Sequence, residues 1–121
     1  MCDIVRRVQG RGELMAIVRQ GHRERKRTVL VLSGANCPPC ERLKPYLETL
    51  VAEADPAHTR VVWLRVEDAG SDDAYNYCLS RKMTRGVPAL FAFTHSSDLF
   101  APDAAATGFD PAAAHALFST K

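Results

Sequence analysis

The sequence has no apolar run approaching the roughly 18 residues that a membrane helix requires. Aromatic residues are sparse at 7%. The net charge is only +2, which gives no polyelectrolyte signature. The seven Gly and seven Pro are scattered, not repeated, and this excludes collagen-like and low-complexity chains. Only four cysteines occur in 121 residues, too few for a disulfide-built scaffold. What remains is ordinary globular composition, with 46% hydrophobic and 25% charged residues. A chain of this length is expected to form one domain over residues 1–121 and to bury a sizeable core without staples. The first residues hold no apolar stretch of signal-peptide length and no long acidic-poor segment. The expectation is a reducing, cytoplasmic compartment, where a close cysteine pair is more often catalytic or metal-binding than structural.

Charge is unevenly placed. Residues 1–27 carry eight Lys/Arg and three Asp/Glu, whereas residues 28–121 carry eight and eleven. The basic excess centres on Arg23-Glu24-Arg25-Lys26-Arg27, after Arg19 and His22. Such a run could form a patch for nucleic acid or an acidic partner. Without interleaved aromatics it reads better as a solvated loop between a helix and a strand, and no nucleic-acid partner is expected.

The apolar periodicity gives an order βαβαβαββα. Ile4–Val8 reads as a short edge strand and Glu13–Gln20 as a helix stopped by Gly21. Thr28–Leu32 is a continuous β-branched run, read as a strand buried on both faces and ended by Gly34. From Pro38 to about Ala54, an apolar stripe of Leu43, Leu47, Leu50, Val51 and Ala54 marks a helix, with Pro45 expected to kink it. Arg60–Val66 is the next strand, and Asp72–Lys82 a helix with Ser71 as a candidate N-cap. Ala89–Phe93 is a strand, paired in a hairpin with a partner around Leu99–Thr107. Asp110-Pro111 opens a final helix as cap and first residue. The alternation predicts an α/β fold with a central mixed five-stranded sheet. Three parallel strands carry a C-terminal antiparallel hairpin, and four helices flank them.

The chemistry lies in Cys37-Pro38-Pro39-Cys40, which follows the buried strand and opens a helix. At a helix N-terminus, free N–H groups and the positive end of the dipole stabilise a thiolate. This makes Cys37 the attacking nucleophile. Cys40 lies one turn inward, in reach to resolve a mixed disulfide. The two prolines stiffen the loop and remove two donors. A zinc site is the main rival, but one CxxC supplies only two of four ligands. Cys2, Cys78 and the histidines at 22, 58, 95 and 115 add no matching pair. A structural disulfide closing so short a loop would constrain little.

With these residues the chain resembles the thioredoxin family, over roughly Ile4 to Phe118. Three features match in order: the strand leading into Cys37-Pro38-Pro39-Cys40, the helix proline Pro45, and Arg85-Gly86-Val87-Pro88 before the strand Ala89–Phe93. Gly108 falls where the family has a glycine before its last helix. The Cys-Pro-Pro-Cys form is similar to that of tryparedoxins and some specialised thioredoxins. The resemblance implies a thioredoxin fold and a cis Val87–Pro88 bond beside the cysteines. It implies a substrate surface formed by Ala35, Asn36, Pro38, Val87, Pro88 and Gly108. It implies protein disulfides as substrates, a thioredoxin reductase or other dithiol donor as partner, and no cofactor beyond the redox-active Cys37–Cys40 pair.

Three departures stand out. Asn36 replaces the family's Trp before the first cysteine. Val31 replaces a buried Asp held to move the proton of the second cysteine, and Trp63 lies near the position of its matching Lys. Exchange at Cys40 is therefore expected to be slower than in a generic thioredoxin, or to use water. The same departures motivate an alternative, a non-enzymatic binding module or adaptor with regulatory cysteines. A net oxidant or isomerase is a third reading. Cys78 reads as a small packed hydrophobe, with a regulatory thiol as its alternative. Trp63 reads as a core aromatic.

Overall fold

In the computed structural model, residues 4–119 are described. Cys2 lies outside them. The elements are β1 (Ile4–Val5), α1 (Arg11–Arg23), β2 (Arg27–Ser33), α2 (Pro38–Glu53), β3 (Thr59–Arg65), α3 (Ser71–Ser80), β4 (Ala89–Phe93), β5 (Ala104–Thr107) and α4 (Pro111–Ser119). They form one sheet of order β1-β3-β2-β4-β5. β1, β3 and β2 run parallel, and β4 and β5 add antiparallel. This is the mixed sheet with four helices that the periodicity predicts.

The sheet divides two cores by the strand period of two. Val29, Val31, Val61, Trp63 and Leu90 face α2 and α4, packing on Leu43, Leu47, Val51 and Leu117. Leu30, Leu32, Val62, Leu64 and Phe91 face the other way, onto Leu14 and Val18 of α1 and Ala74 of α3. Truncating any of these fully buried leucines to Ala would cost about 2–5 kcal/mol. Trp63 is a core aromatic, as expected, at 8% exposure.

Several boundaries differ from the sequence reading. β1 is only two residues long. α1 begins earlier and continues past Gly21, which is buried within it. A Cβ at Gly21 would run into Thr28 Oγ1 of β2, so this glycine permits close packing of helix on strand and does not stop the helix. The stop comes at Arg25, which takes a left-handed φ of 58°. There Lys26 N donates to Gly21 O at 2.8 Å and Arg25 N to His22 O at 3.2 Å, a Schellman pair with a non-glycine at its turn. Ser71 is not an N-cap: Gly70, at φ +85°, takes that position beneath the Val8 carbonyl, and Ser71 is buried inside α3. α2 is continuous through Pro45.

The hairpin partner narrows to β5, because the segment before it folds around Asp103. Its Oδ2 accepts the amides of Thr94, His95 and Ser96 at 2.6, 2.9 and 3.3 Å. Asp110 caps α4 as predicted, its Oδ1 accepting Ala113 N at 3.0 Å. The basic run is a helix-to-strand connection. Glu24 there meets Lys26 and Arg60 at 4.0 and 3.6 Å, and Arg27 donates to the Phe118 carbonyl. Among the described residues, no helix is long and apolar enough to cross a membrane.

Candidate active site

β2 delivers the chain to the carboxyl end of the sheet, where Gly34, Ala35 and Asn36 turn it into α2. Cys37 is the N-cap of α2, with Pro38 and Pro39 as the first two helical residues. Because neither proline has an N–H, the first amide that α2 can offer is that of Cys40. It donates to Cys37 Sγ at 3.2 Å. The two prolines thus direct the positive end of the helix onto one sulfur. Cys37 and Cys40 form a disulfide, and both are largely buried, at 8% and 7% exposure.

The loop before β4 closes over this pair. Its Val87–Pro88 bond is cis, as the resemblance implies. The Val87 carbonyl oxygen lies 3.7 Å from Cys37 Sγ. The Pro88 carbonyl accepts Gly108 N at 3.0 Å, linking this loop to the end of β5, where Gly108 has φ +71°. The six residues expected to form the substrate surface differ in access. Ala35, Asn36 and Pro38 are exposed, Val87 and Gly108 are half-buried, and Pro88 is buried.

Sequence reasoning missed Glu67. Its Oε2 accepts Ala35 N at 2.9 Å. A Cβ at Gly34 would stand 3.2 Å from that oxygen, 3.1 Å from Val87 Cγ2 and 3.6 Å from Cys37 Cβ. Gly34 therefore lets three segments meet beside the redox pair. The signal was in the register: Ser33 pairs with Arg65, so a residue two beyond the end of β3 stands beside Ala35.

Behind Cys40 the departures become physical. Val31 and Trp63 are direct register partners on β2 and β3, both in the core beneath α2. No carboxylate occupies either position. Instead a cleft of about 400 Å³ reaches Cys40 and Pro88, bordered by Glu41, Lys44, Arg65 and Asp68. Cys78 is away from this site, fully buried in α3, and burial pushes its thiol up to about 11. Among the described residues, no three His, Cys, Asp or Glu side chains converge as a metal site.

No family model matches the chain, and no curated protein matches it in sequence. Solved structures do. Mitochondrial thioredoxin 3 of Saccharomyces cerevisiae, in its oxidised form, is similar with a TM-score of 0.72 and 15% identity, covering 97% of this chain and 95% of its own. Thioredoxin O2 of Arabidopsis thaliana is similar at 0.71 and 16%, covering 97% and 92%. A mutant thioredoxin of Halobacterium salinarum reaches 0.67 and 23%, covering 98% and 89%. The chain has the thioredoxin fold, with a CxxC disulfide where α2 begins.

Proposed function

We propose that this protein is a thiol–disulfide oxidoreductase that reduces protein disulfides through Cys37 and Cys40. The observation that carries the reading is the sulfur of Cys37 at the N-terminus of α2, bonded by the Cys40 amide and flanked by the Val87 carbonyl.

In the dithiol form, the helix N-terminus stabilises negative charge on Cys37. Its thiolate attacks one sulfur of a substrate disulfide and expels the other as a thiolate. Cys40, deprotonated in turn, attacks Cys37 Sγ. The second substrate thiolate leaves and the Cys37–Cys40 disulfide forms. Two electrons pass to the substrate, and the thiolates released take up protons from water. With Val31 and Trp63 apolar, the Cys40 proton leaves to water through the polar cleft. In this reading Ala35, Asn36, Pro38, Val87 and Gly108 receive the substrate chain, with the Val87 carbonyl beside the sulfur, and Pro88 holds the loop in place. The redox pair carries the electrons, so no bound cofactor is needed. A thioredoxin reductase or another dithiol resets the pair. Net reduction suits a reducing compartment such as the cytoplasm, with a potential near about −270 mV; about −120 mV would mark an oxidant instead.

Cys40→Ser tests the mechanism. The variant should accumulate Cys37-linked substrate complexes that dithiothreitol releases. If none form while the wild type turns over, the two-cysteine mechanism is wrong. Asn36 and Val31 favour the binding-module reading as the second. Under it, Cys37→Ser would keep full biological activity.

A further inference from the structure

The cleft beside Cys40 joins an apolar floor to a cationic rim. Trp63, backed by the buried Val31 and Leu47, supplies the floor, and Cys40 and Pro88 complete a wall. Arg6, Arg7, Lys44 and Arg65 stand around it, together with the carboxylates of Glu41 and Asp68. Asp68 is shared, 3.9 Å from both Arg7 and Arg65. Lys44 makes no ion pair among the described residues. The Arg6 guanidinium lies 4.9 Å over the Trp63 ring in a cation–π contact, and it makes no ion pair among the described residues. Among the described residues, two positive charges are thus in excess at a cleft of about 400 Å³, within the size range of small-molecule sites. Low-dielectric walls focus that potential. A guanidinium fixed on an aromatic face presents its fork for two-point contact with carboxylate or phosphate oxygens.

We propose that this cleft binds a small organic anion. Its carboxylate or phosphate head pairs with Arg6 and Lys44, and its short apolar body lies against the exposed edge of Trp63. The occupant then sits against Cys40 and Pro88, next to the redox pair. Binding needs no thiol chemistry, so it is measured on the disulfide form whether or not the protein turns over disulfides.

Trp63 is the single tryptophan of the chain, so its fluorescence reports this cleft. The disulfide form is titrated with phenyl phosphate and with benzoate at fixed ionic strength. The expected result is a saturable change with at least one of them, and the tighter of the two identifies the head group. Inorganic phosphate, without an apolar body, should bind at least about tenfold more weakly. Lys44→Gln and Arg6→Gln should each weaken binding by about tenfold. Arg19→Gln on α1, across the sheet, should leave it unchanged. Lys44 is exposed, so its variant keeps the fold and gives a second result where loss of Arg6 alters the fluorescence baseline. A linear, unsaturated response, equal affinity for inorganic phosphate, or affinity unmoved by both substitutions would overturn the proposal.

Discussion

The Glu67 carboxylate accepts the Ala35 amide at 2.9 Å, tying the end of β3 to the loop that precedes Cys37. It also places a negative charge across Gly34 from Cys37. A like charge nearby disfavours a thiolate. Glu67→Gln keeps an acceptor and removes the charge, so Cys37 of the reduced protein should alkylate faster near neutral pH. Glu67→Ala removes both and should also cost about 1 kcal/mol of stability. The pH dependence of iodoacetamide alkylation at Cys37 and urea unfolding separate the two effects. An alkylation profile unchanged in Glu67→Gln would mean that the charge does not reach the sulfur.

Gly21 and Arg25 should respond against their helix propensities. Alanine in an open helical position is better than glycine by about 0.5–1 kcal/mol. Here the added methyl meets the Thr28 hydroxyl, so Gly21→Ala should lose about 1–3 kcal/mol. Arg25→Gly should gain up to about 1 kcal/mol by relieving a left-handed non-glycine. Urea midpoints measure both. A stabilised Gly21→Ala would mean that the Thr28 side chain rotates away at little cost.

Asp103 should make the β4–β5 connection acid-sensitive. Burial alone would raise its pKa, but the amides of His95, Thr94 and Ser96, with the charge of His95, bring it below the ordinary carboxylate value. A pKa depressed in the folded state gives stability that is complete above the unfolded value, about 3.9. That stability is lost as pH falls through the folded value. Asp103→Asn should therefore be less stable than wild type at neutral pH, and the gap should narrow below about pH 4. Urea unfolding across this range checks the sign, and a gap independent of pH would exclude the carboxylate charge as its source.

Cys78 should be chemically silent in the folded protein. Its side chain is fully buried and its thiol is pushed up to about 11, so little thiolate exists near neutral pH. In the reduced protein, alkylation followed by peptide mass spectrometry should modify Cys37 first and Cys78 only on unfolding. Labelling of Cys78 at the rate of Cys37 would mean that α3 opens readily and would revive the regulatory-thiol reading.

Much of this architecture is local in origin, and so the sequence carries it. The β-branched run of β2, the leucine stripe of α2 and the Asp110-Pro111 start of α4 are set by side-chain period and cap chemistry within a few residues. The same holds for the placement of Cys37 at the N-terminus of α2, where two prolines leave Cys40 to offer the first amide. The misread positions depend on partners distant in the chain. Gly21 looks like a helix stop until Thr28 of the neighbouring strand is packed against it. Ser71 looks like a cap until Gly70 passes beneath Val8. Glu67 acquires its role only when parallel register sets β3 beside β2. The cleft behind Cys40 needs Arg6, Lys44 and Arg65 from three separate parts of the chain. Backbone preference and apolar period act between near neighbours and are written in order along the chain. Steric contact and charge depend on distance in space, which only the assembled sheet and its packed helices supply.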